Sequence, residues 1–240
     1  MKLDILAIGA HPDDVELGCS GTLAKEIHQG KSVGILDLTR GELGTRGSAE
    51  IRDKESAAAA KILNIKVREN LSFADGFFIN DKHHQIEIIK IIRKYRPEVV
   101  FCNAVDDRHI DHPKASQLVS TSCFLSGLTK IKTKLEGTTT FQEEWRPKFI
   151  YHYIQWKNIS PDVCIDISDF MTIKIKAVMA YESQFFKEGV SMKNTPISTK
   201  NFIDSVEYRA KDLGRLCGVD YAEGFTVERC PLVNSIFDLK

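Results

Sequence analysis

Short apolar runs alternate with amphipathic segments through the first hundred residues, and this alternation constrains the fold most. The apolar runs, which we predict to be strands, cover residues 3–10, 32–38, 66–72 and 98–102. Apolar side chains recur at helical spacing in residues 15–29, 49–63 and 85–95. Strands that alternate with such helices are typical of βαβ units. We therefore predict an α/β fold with a mostly parallel central sheet.

The second half of the chain gives a weaker pattern. Residues 149–155 and 163–167 are predicted strands, and residues 169–181 are a predicted helix. The sequence has no internal repeat and no clear linker, and its 240 residues fit one α/β domain. We predict a single domain over residues 1–240.

The composition argues against several classes of partner. Lys and Arg total 33, as do Asp and Glu, so the formal net charge is 0 and no global field attracts nucleic acid or anionic lipid. The first residues lack a signal-peptide pattern, and nowhere do about 18 apolar residues run together. The six cysteines are scattered, which favours reduced thiols. We expect a cytoplasmic protein without a nucleic-acid or membrane partner.

Two clusters of His and Asp follow two of the predicted strands. Residues 11–14, His-Pro-Asp-Asp, follow the first strand, and residues 106–112, Asp-Asp-Arg-His-Ile-Asp-His, follow the fourth. Ligands of open parallel sheets bind beyond the carboxyl ends of the strands, where the strand order reverses. In the common order 3-2-1-4, strands 1 and 4 flank that crevice. The two clusters are therefore expected to form one site.

The residue types of this site suit a catalytic zinc centre, for which two His and one carboxylate are a standard ligand set. His11 and Asp14 are three residues apart at a strand-to-helix junction, a spacing that brings both to one side of the first helical turn. His112 can supply the third ligand. Zinc lowers the pKa of water and polarises a carbonyl group, so this set suits hydrolysis of an amide or ester.

Three more residues in the clusters are candidates for catalysis. Asp13 is rotated away from Asp14, so we expect it to act as general base on the attacking water instead of binding the metal. His109 precedes His112 by three residues, and an imidazolium there could stabilise an oxyanion or protonate the leaving amine. Asp111 is expected to hold the His109 ring in orientation.

Substrate contacts are expected from the glycine-rich residues 40–48, which we predict to be a surface loop at the same edge of the sheet. An arginine near this loop can bind a sugar hydroxyl or a carboxylate through its fork of donors, and a solvated role is the alternative for each of Arg40, Arg46 and Arg52. Two alternative roles, lining of a pocket and ordinary packing, are left open for Tyr181, Gln184, Tyr208 and Tyr221.

The clusters also allow other interpretations. Asp13 and Asp14 suit the N-terminus of the first predicted helix as capping residues. The same pair, with Asp75 as phosphoacceptor, suits a receiver-like module that binds magnesium. Magnesium, however, prefers oxygen ligands, so a magnesium site would not explain His11 and His112.

Residues 10–14 and 109–112 resemble the A-H-P-D-D and H-x-D-H motifs of the LmbE/PIG-L-like zinc N-deacetylases. The likeness extends through residues 38–47, 51–52, 183–184 and 218–225. Within that family the chain is most similar to the bacillithiol-biosynthesis deacetylases, which remove acetate from N-acetylglucosaminyl malate. It departs from the family at Ile110, where many relatives have proline, and at Asp107, where mycothiol-pathway relatives carry tyrosine.

The resemblance implies a Rossmann-like three-layer fold and an N-deacetylase that acts on a small-molecule acetylated glycoside. The Zn2+ ligands that it implies are His11, Asp14 and His112. Asp13 matches the general base, His109 with help from Asp111 assists the oxyanion and the leaving group, and Arg52 matches a substrate-binding arginine. The favoured substrate is N-acetylglucosaminyl malate, and another acetylated sugar or thiol conjugate is the alternative. Whether the protein forms a homo-oligomer is also left open.

Overall fold

The computed structural model describes residues 1–186 and 193–238. The strands within these residues are β1 (Ile5–Gly9), β2 (Val33–Thr39), β3 (Val67–Phe73), β4 (Val99–Cys102), β5 (Phe149–Tyr153), β6 (Val163–Asp166) and β7 (Ala222–Val227). The α-helices are α1 (Asp14–His28), α2 (Ala49–Leu63), α3 (Lys82–Tyr95), α4 (Asp111–Ser126), α5 (Met171–Met179) and α6 (Lys200–Cys217). Two short 3-10 helices cover Ser168–Phe170 and Ile236–Asp238.

All of these strands join one sheet in the order β3-β2-β1-β4-β5-β7-β6. The strands from β3 to β5 pair in parallel, and β7 is antiparallel to both β5 and β6. The predicted mostly parallel α/β sheet is therefore confirmed, and so is the order 3-2-1-4 for the first four strands. Helices α1, α2 and α5 pack together, and α3 packs on α4.

Two hydrophobic clusters lie on opposite faces of the central strands, which gives the three-layer arrangement. One includes Leu6 and Ile8 of β1 with Ile88 of α3, and the other includes Ala7 of β1 with Val15 of α1. Strand β1 is buried along its whole length. Strands covered on both faces form near-continuous apolar runs, which is why the sequence located this strand well.

Helix α1 lies very close to its neighbours because two of its positions are glycine. A Cβ atom at Gly18 would lie 2.2 Å from Cδ2 of Tyr153, and one at Gly21 would lie 2.7 Å from Cδ1 of Ile167. Any larger side chain at Gly18 would therefore push α1 away from β5. The close packing fixes the N-terminus of α1, which carries Asp14.

Three elements were absent from the sequence prediction, namely α4, α6 and β7. Helix α4 follows the second His/Asp cluster directly, and Pro113 in its first turn is tolerated because the N–H groups of that turn have no partner within the helix. In α6 the apolar residues Phe202, Val206, Ala210 and Leu213 have helical spacing, so a signal was present. The predicted helix over residues 169–181 is shorter, because a 3-10 turn precedes α5.

No helix within residues 1–186 and 193–238 combines the length and the apolar character needed to cross a membrane. The six cysteines are free thiols, and Cys19, Cys102 and Cys123 are buried. The expectation of reduced thiols agrees with this arrangement.

Candidate active site

The two His/Asp clusters meet at the carboxyl ends of β1 and β4, as the strand order predicts. Residues of both clusters line a cavity of about 570 Å³. His11 and Asp13 come from the turn between β1 and α1, and Asp14 begins α1. His109 comes from the connection of β4 to α4, and His112 lies in the first turn of α4. The sheet therefore brings together residues that are almost a hundred positions apart.

The Asp14 carboxylate lies between the two histidines that were predicted as metal ligands. Its Oδ2 atom is 3.4 Å from Nδ1 of His11, and its Oδ1 atom is 3.1 Å from Nε2 of His112. His11 and Asp14 are buried, and His112 is largely buried. The Asp14 carboxylate thus faces both histidines, each through a different oxygen, at the wall of the cavity.

The second nitrogen of each histidine faces another carboxylate. Nε2 of His11 lies 3.0 Å from Oδ1 of Asp75, and Nδ1 of His112 is hydrogen-bonded to Oδ2 of Asp107. Metal-bound histidines characteristically have their other ring nitrogen held by such a partner, which fixes the ring and increases its basicity. The residues present therefore fit a zinc ion.

The structure gives no support to a phosphoacceptor role for Asp75. Its carboxylate is hydrogen-bonded to His11 and to the backbone N–H of Leu43.

The electrostatics of the cluster also suit a cation. Burial by itself favours neutral rings, but Asp111, Asp14 and Asp75 raise the pKa of His11 well above its usual value. Burial is likewise outweighed at His112, whose pKa Asp14 and Asp107 raise to about 9. The surrounding carboxylates thus favour positive charge at His11 and His112. A bound divalent cation would supply that positive charge instead.

His109 lies against both of these histidines. Its ring centroid is 4.7 Å from that of His11 and 4.9 Å from that of His112. The ligand atoms of these three histidines all lie within 4.8 Å of one another, and the same holds for His11, Asp75 and Asp111. The geometry therefore allows more than one ligand set, and the assignment to His11, Asp14 and His112 stays a proposal.

Asp111 contacts the cluster through both its side chain and its backbone. Its carboxylate lies 3.4 Å from Nε2 of His11 and 3.1 Å from Nζ of Lys114. The backbone N–H of Asp111 is the group that donates to Nδ1 of His109, at 3.3 Å. Because Nδ1 accepts this bond, the neutral His109 ring carries its proton on Nε2. Burial and the charges of His11 and His112 lower the pKa of His109, which favours that neutral ring.

Asp13 is buried in the cavity wall and has a strained backbone. Its φ of 113° lies in the left-handed region, which costs a non-glycine residue about 1–3 kcal/mol. It precedes α1, yet its side chain makes no capping hydrogen bond with any residue that the structure describes. Burial, opposed by Arg52 with Nη1 3.9 Å away, raises the pKa of Asp13 to about 7. A carboxyl group with a pKa near neutrality is well suited to proton transfer.

Arg52 reaches the cavity from α2 and is buried under the loop that follows β2. Its Nη2 atom donates to Oε1 of Gln184, and its Nη1 atom donates to the carbonyl oxygen of Pro12 at 3.4 Å. A Cβ atom at Gly41, where φ is +63°, would lie 2.3 Å from Nη1 of Arg52. Glycine is needed there to let the loop cover the guanidinium. Leu43, Gly44 and Thr45 of this loop line the cavity.

The comparisons with known proteins agree with this geometry. The family model described as "PIG-L: GlcNAc-PI de-N-acetylase" matches residues 6–123. The uncharacterized deacetylase YaiS of Escherichia coli (strain K12) is 38% identical over 127 residues, which are 50% of this chain and 67% of YaiS. This chain belongs to the PIG-L family.

Two further relatives extend the likeness along this PIG-L chain. The diacetylchitobiose deacetylase of Thermococcus kodakarensis is 29% identical over 231 residues, which are 92% of this chain and 81% of that protein. The crystal structure of the conserved protein TT1542 from Thermus thermophilus has a TM-score of 0.85 and 37% identity, with 98% of each chain covered. The described fold is therefore shared with that protein over almost its whole length.

Several cavity residues of this PIG-L protein were not identified from the sequence. Gln155 and Trp156 line the cavity directly after β5, so the rule that placed the clusters at strand ends would also have indicated them. Arg209 lines it from α6, and although the apolar spacing of α6 indicates a helix, nothing local in the sequence indicates that Arg209 reaches this cavity. Of the four residues left open, Gln184 lines the cavity. The tyrosines instead bond within the protein or face solvent: Tyr181 is buried and donates to Glu16, Tyr221 donates to Glu207, and Tyr208 is exposed.

Proposed function

We propose that this protein is a zinc-dependent N-deacetylase that removes acetate from an N-acetylglucosamine conjugate. The observation that supports this most strongly is the convergence of His11, Asp14 and His112 beside the buried carboxyl group of Asp13 in one cavity. This arrangement provides a metal-binding set and a separate proton acceptor. Metal-assisted hydrolysis of an unactivated amide uses both.

In this proposal His11, Asp14 and His112 would hold zinc, which supplies a lower pKa for water and polarisation of the acetyl carbonyl. Asp13 accepts a proton from the attacking water, whose oxygen forms a bond to the carbonyl carbon. The N–H at Nε2 of His109 donates to the resulting oxyanion. The C–N bond then breaks, the proton held by Asp13 passes to the leaving nitrogen, and acetate and a free amine are released.

Two arginines of the cavity lining favour a substrate with an anionic substituent. Arg108 and Arg209 line the cavity together with Trp156. The guanidinium carbon of Arg108 lies 4.5 Å from the Trp156 ring centroid, and Nη2 of Arg209 donates to the Trp156 carbonyl oxygen at 3.3 Å. Guanidinium groups bind carboxylates in a bidentate manner. We therefore favour N-acetylglucosaminyl malate, which is deacetylated in bacillithiol biosynthesis. Another acetylated sugar or thiol conjugate is the alternative.

Acetate release from a substrate panel tests the proposed function. The zinc-loaded protein would be supplied separately with N-acetylglucosaminyl malate, N,N′-diacetylchitobiose and N-acetylglucosamine. We expect the malate conjugate to give the highest kcat/KM. A preference for diacetylchitobiose would place the protein with its Thermococcus relative in substrate choice. No acetate from any of the three would contradict an amino-sugar deacetylase.

Substitution of Arg52 by lysine is expected to weaken kcat/KM for N-acetylglucosaminyl malate by about tenfold to a hundredfold, and for N-acetylglucosamine by less. A hydrogen bond to a charged group contributes about 1.5–3 kcal/mol, and lysine does not reproduce the bidentate fork. Steady-state kinetics on both substrates measure the difference. Arg40→Lys is the matched control, because Arg40 directly follows β2 but pairs with Asp53 at a half-exposed position.

An equal loss on both substrates in Arg52→Lys would reject a malate-specific contact. Arg52 would then serve the sugar or the Asp13 carboxylate, from which its Nη1 atom is 3.9 Å away.

A further inference from the structure

Three neutral N–H groups hold the Asp14 carboxylate. The backbone N–H of His11 donates to Oδ2 at 2.9 Å, and Nδ2 of Asn103 donates to the same oxygen at 3.0 Å. Nε2 of Gln155 donates to Oδ1 at 2.9 Å. Asn103 follows β4 and Gln155 lies just beyond β5, and both side chains are buried.

The orientation of the two amides is set by backbone donors. The N–H of Ala10 donates to Oδ1 of Asn103 at 2.9 Å, and the N–H of Ala104 donates to Oε1 of Gln155 at 3.2 Å. A backbone N–H can only donate, so both amide oxygens face these groups and both nitrogens face Asp14. Nδ2 of Asn103 also donates to Oε1 of Gln155 at 3.0 Å, which joins the two amides.

These bonds use most of the acceptor capacity of Asp14. A carboxylate offers about four lone-pair sites, two on each oxygen. Oδ2 already accepts from His11 and Asn103, whereas Oδ1 accepts from Gln155 alone among the three N–H donors. One lone pair is therefore left on Oδ1, the oxygen that lies 3.1 Å from Nε2 of His112.

We infer that Asn103 and Gln155 form an amide clamp, which positions Asp14 to bind a metal ion through Oδ1 alone. The inference rests on the proposed function, since it assumes that Asp14 is a ligand. The donors of the clamp carry no charge, so they orient the carboxylate without neutralising it. A lysine or arginine in their place would compete with the metal for that negative charge.

The test is the zinc affinity of Gln155→Met, a variant of similar side-chain length that lacks the amide. The metal-free full-length protein would be titrated with zinc in competition with a chromophoric chelator. We expect Kd to rise by about tenfold to a hundredfold, the usual effect of removing a hydrogen-bond partner of a metal ligand. Saturating zinc should restore most of the activity, because the defect lies in affinity.

Gln142→Met is the matched control. Gln142 is half-buried, and its Nε2 atom donates to the carbonyl oxygen of Lys90 at 2.9 Å, outside the cavity. The zinc affinity of the Gln142→Met protein should equal that of the wild type. Thermal unfolding of the metal-free variants checks their folding, and Gln155→Leu replaces Gln155→Met if the latter is unfolded.

The outcomes separate the clamp from the proposed function. Stoichiometric zinc in the wild type with unchanged Kd in the folded Gln155 variant would overturn the clamp alone. Weaker binding that comes with a lower melting temperature and no recovery at saturating zinc would also overturn it, because that result indicates a merely structural glutamine. A wild type that binds no zinc would overturn the proposed function and the clamp together.

Discussion

Replacing Asp13 with asparagine is expected to lower kcat/KM by about a hundredfold to ten-thousandfold, the usual contribution of a general base, while the zinc content stays at one per chain. Asp13 lines the cavity, and its charged neighbour at 3.9 Å is Nη1 of Arg52. The close contacts with His11 and His112 are made by Asp14 instead. Removal of the Asp13 charge should therefore leave the ligands in place.

Asparagine is the informative substitution at this position. The backbone φ of Asp13 is 113°, and Asn and Asp tolerate positive φ better than most residues do. Kinetics and metal analysis of the same preparation measure the two effects. Asp53→Asn, which alters an acid that pairs with Arg40 away from the cavity, is the control. If zinc disappeared in proportion to activity, Asp13 would be a ligand or a structural residue.

Replacing His112 with alanine is expected to remove zinc and to lower kcat/KM by more than about a hundredfold. Loss of a hydrogen-bond partner around a metal ligand costs about tenfold to a hundredfold, and loss of the ligand itself should exceed that. His112 lies between Asp107 and Asp14, so its absence would also leave both buried carboxylates without their shared partner. Metal analysis after dialysis and acetate-release kinetics measure the two effects.

His109→Ala distinguishes the alternative ligand sets, because the ligand atoms of His109 lie within 4.8 Å of those of His11 and His112. The proposal expects this variant to keep its zinc and to lose activity. His83→Ala, at an exposed position on α3, controls for the loss of a histidine. Full zinc occupancy and activity in His112→Ala would remove the basis for a site between β1 and β4.

The sequence by itself determined where in the fold the candidate site lies. The apolar run before His11 is buried on both faces of the sheet, and that burial makes it apolar throughout and easy to recognise as a strand. One polar cluster follows this strand, and the other follows β4. Because β1 and β4 are neighbours in the sheet, the two clusters lie close together. Local period and chain topology were therefore sufficient for the parallel strands β1 to β4 and for the location of the two clusters, although not for α4, α6 or β7.

Only the tertiary structure decided which group each of these side chains contacts. Asp111 was expected to orient His109; its backbone N–H donates to that ring, whereas its carboxylate lies 3.4 Å from Nε2 of His11. Gln155 contacts Asp14 across 141 positions of the chain. Such contacts depend on how several elements pack at once, and neither helical nor strand periodicity carries that information. The alternation of strands and helices thus located the site, whereas packing set its hydrogen bonds.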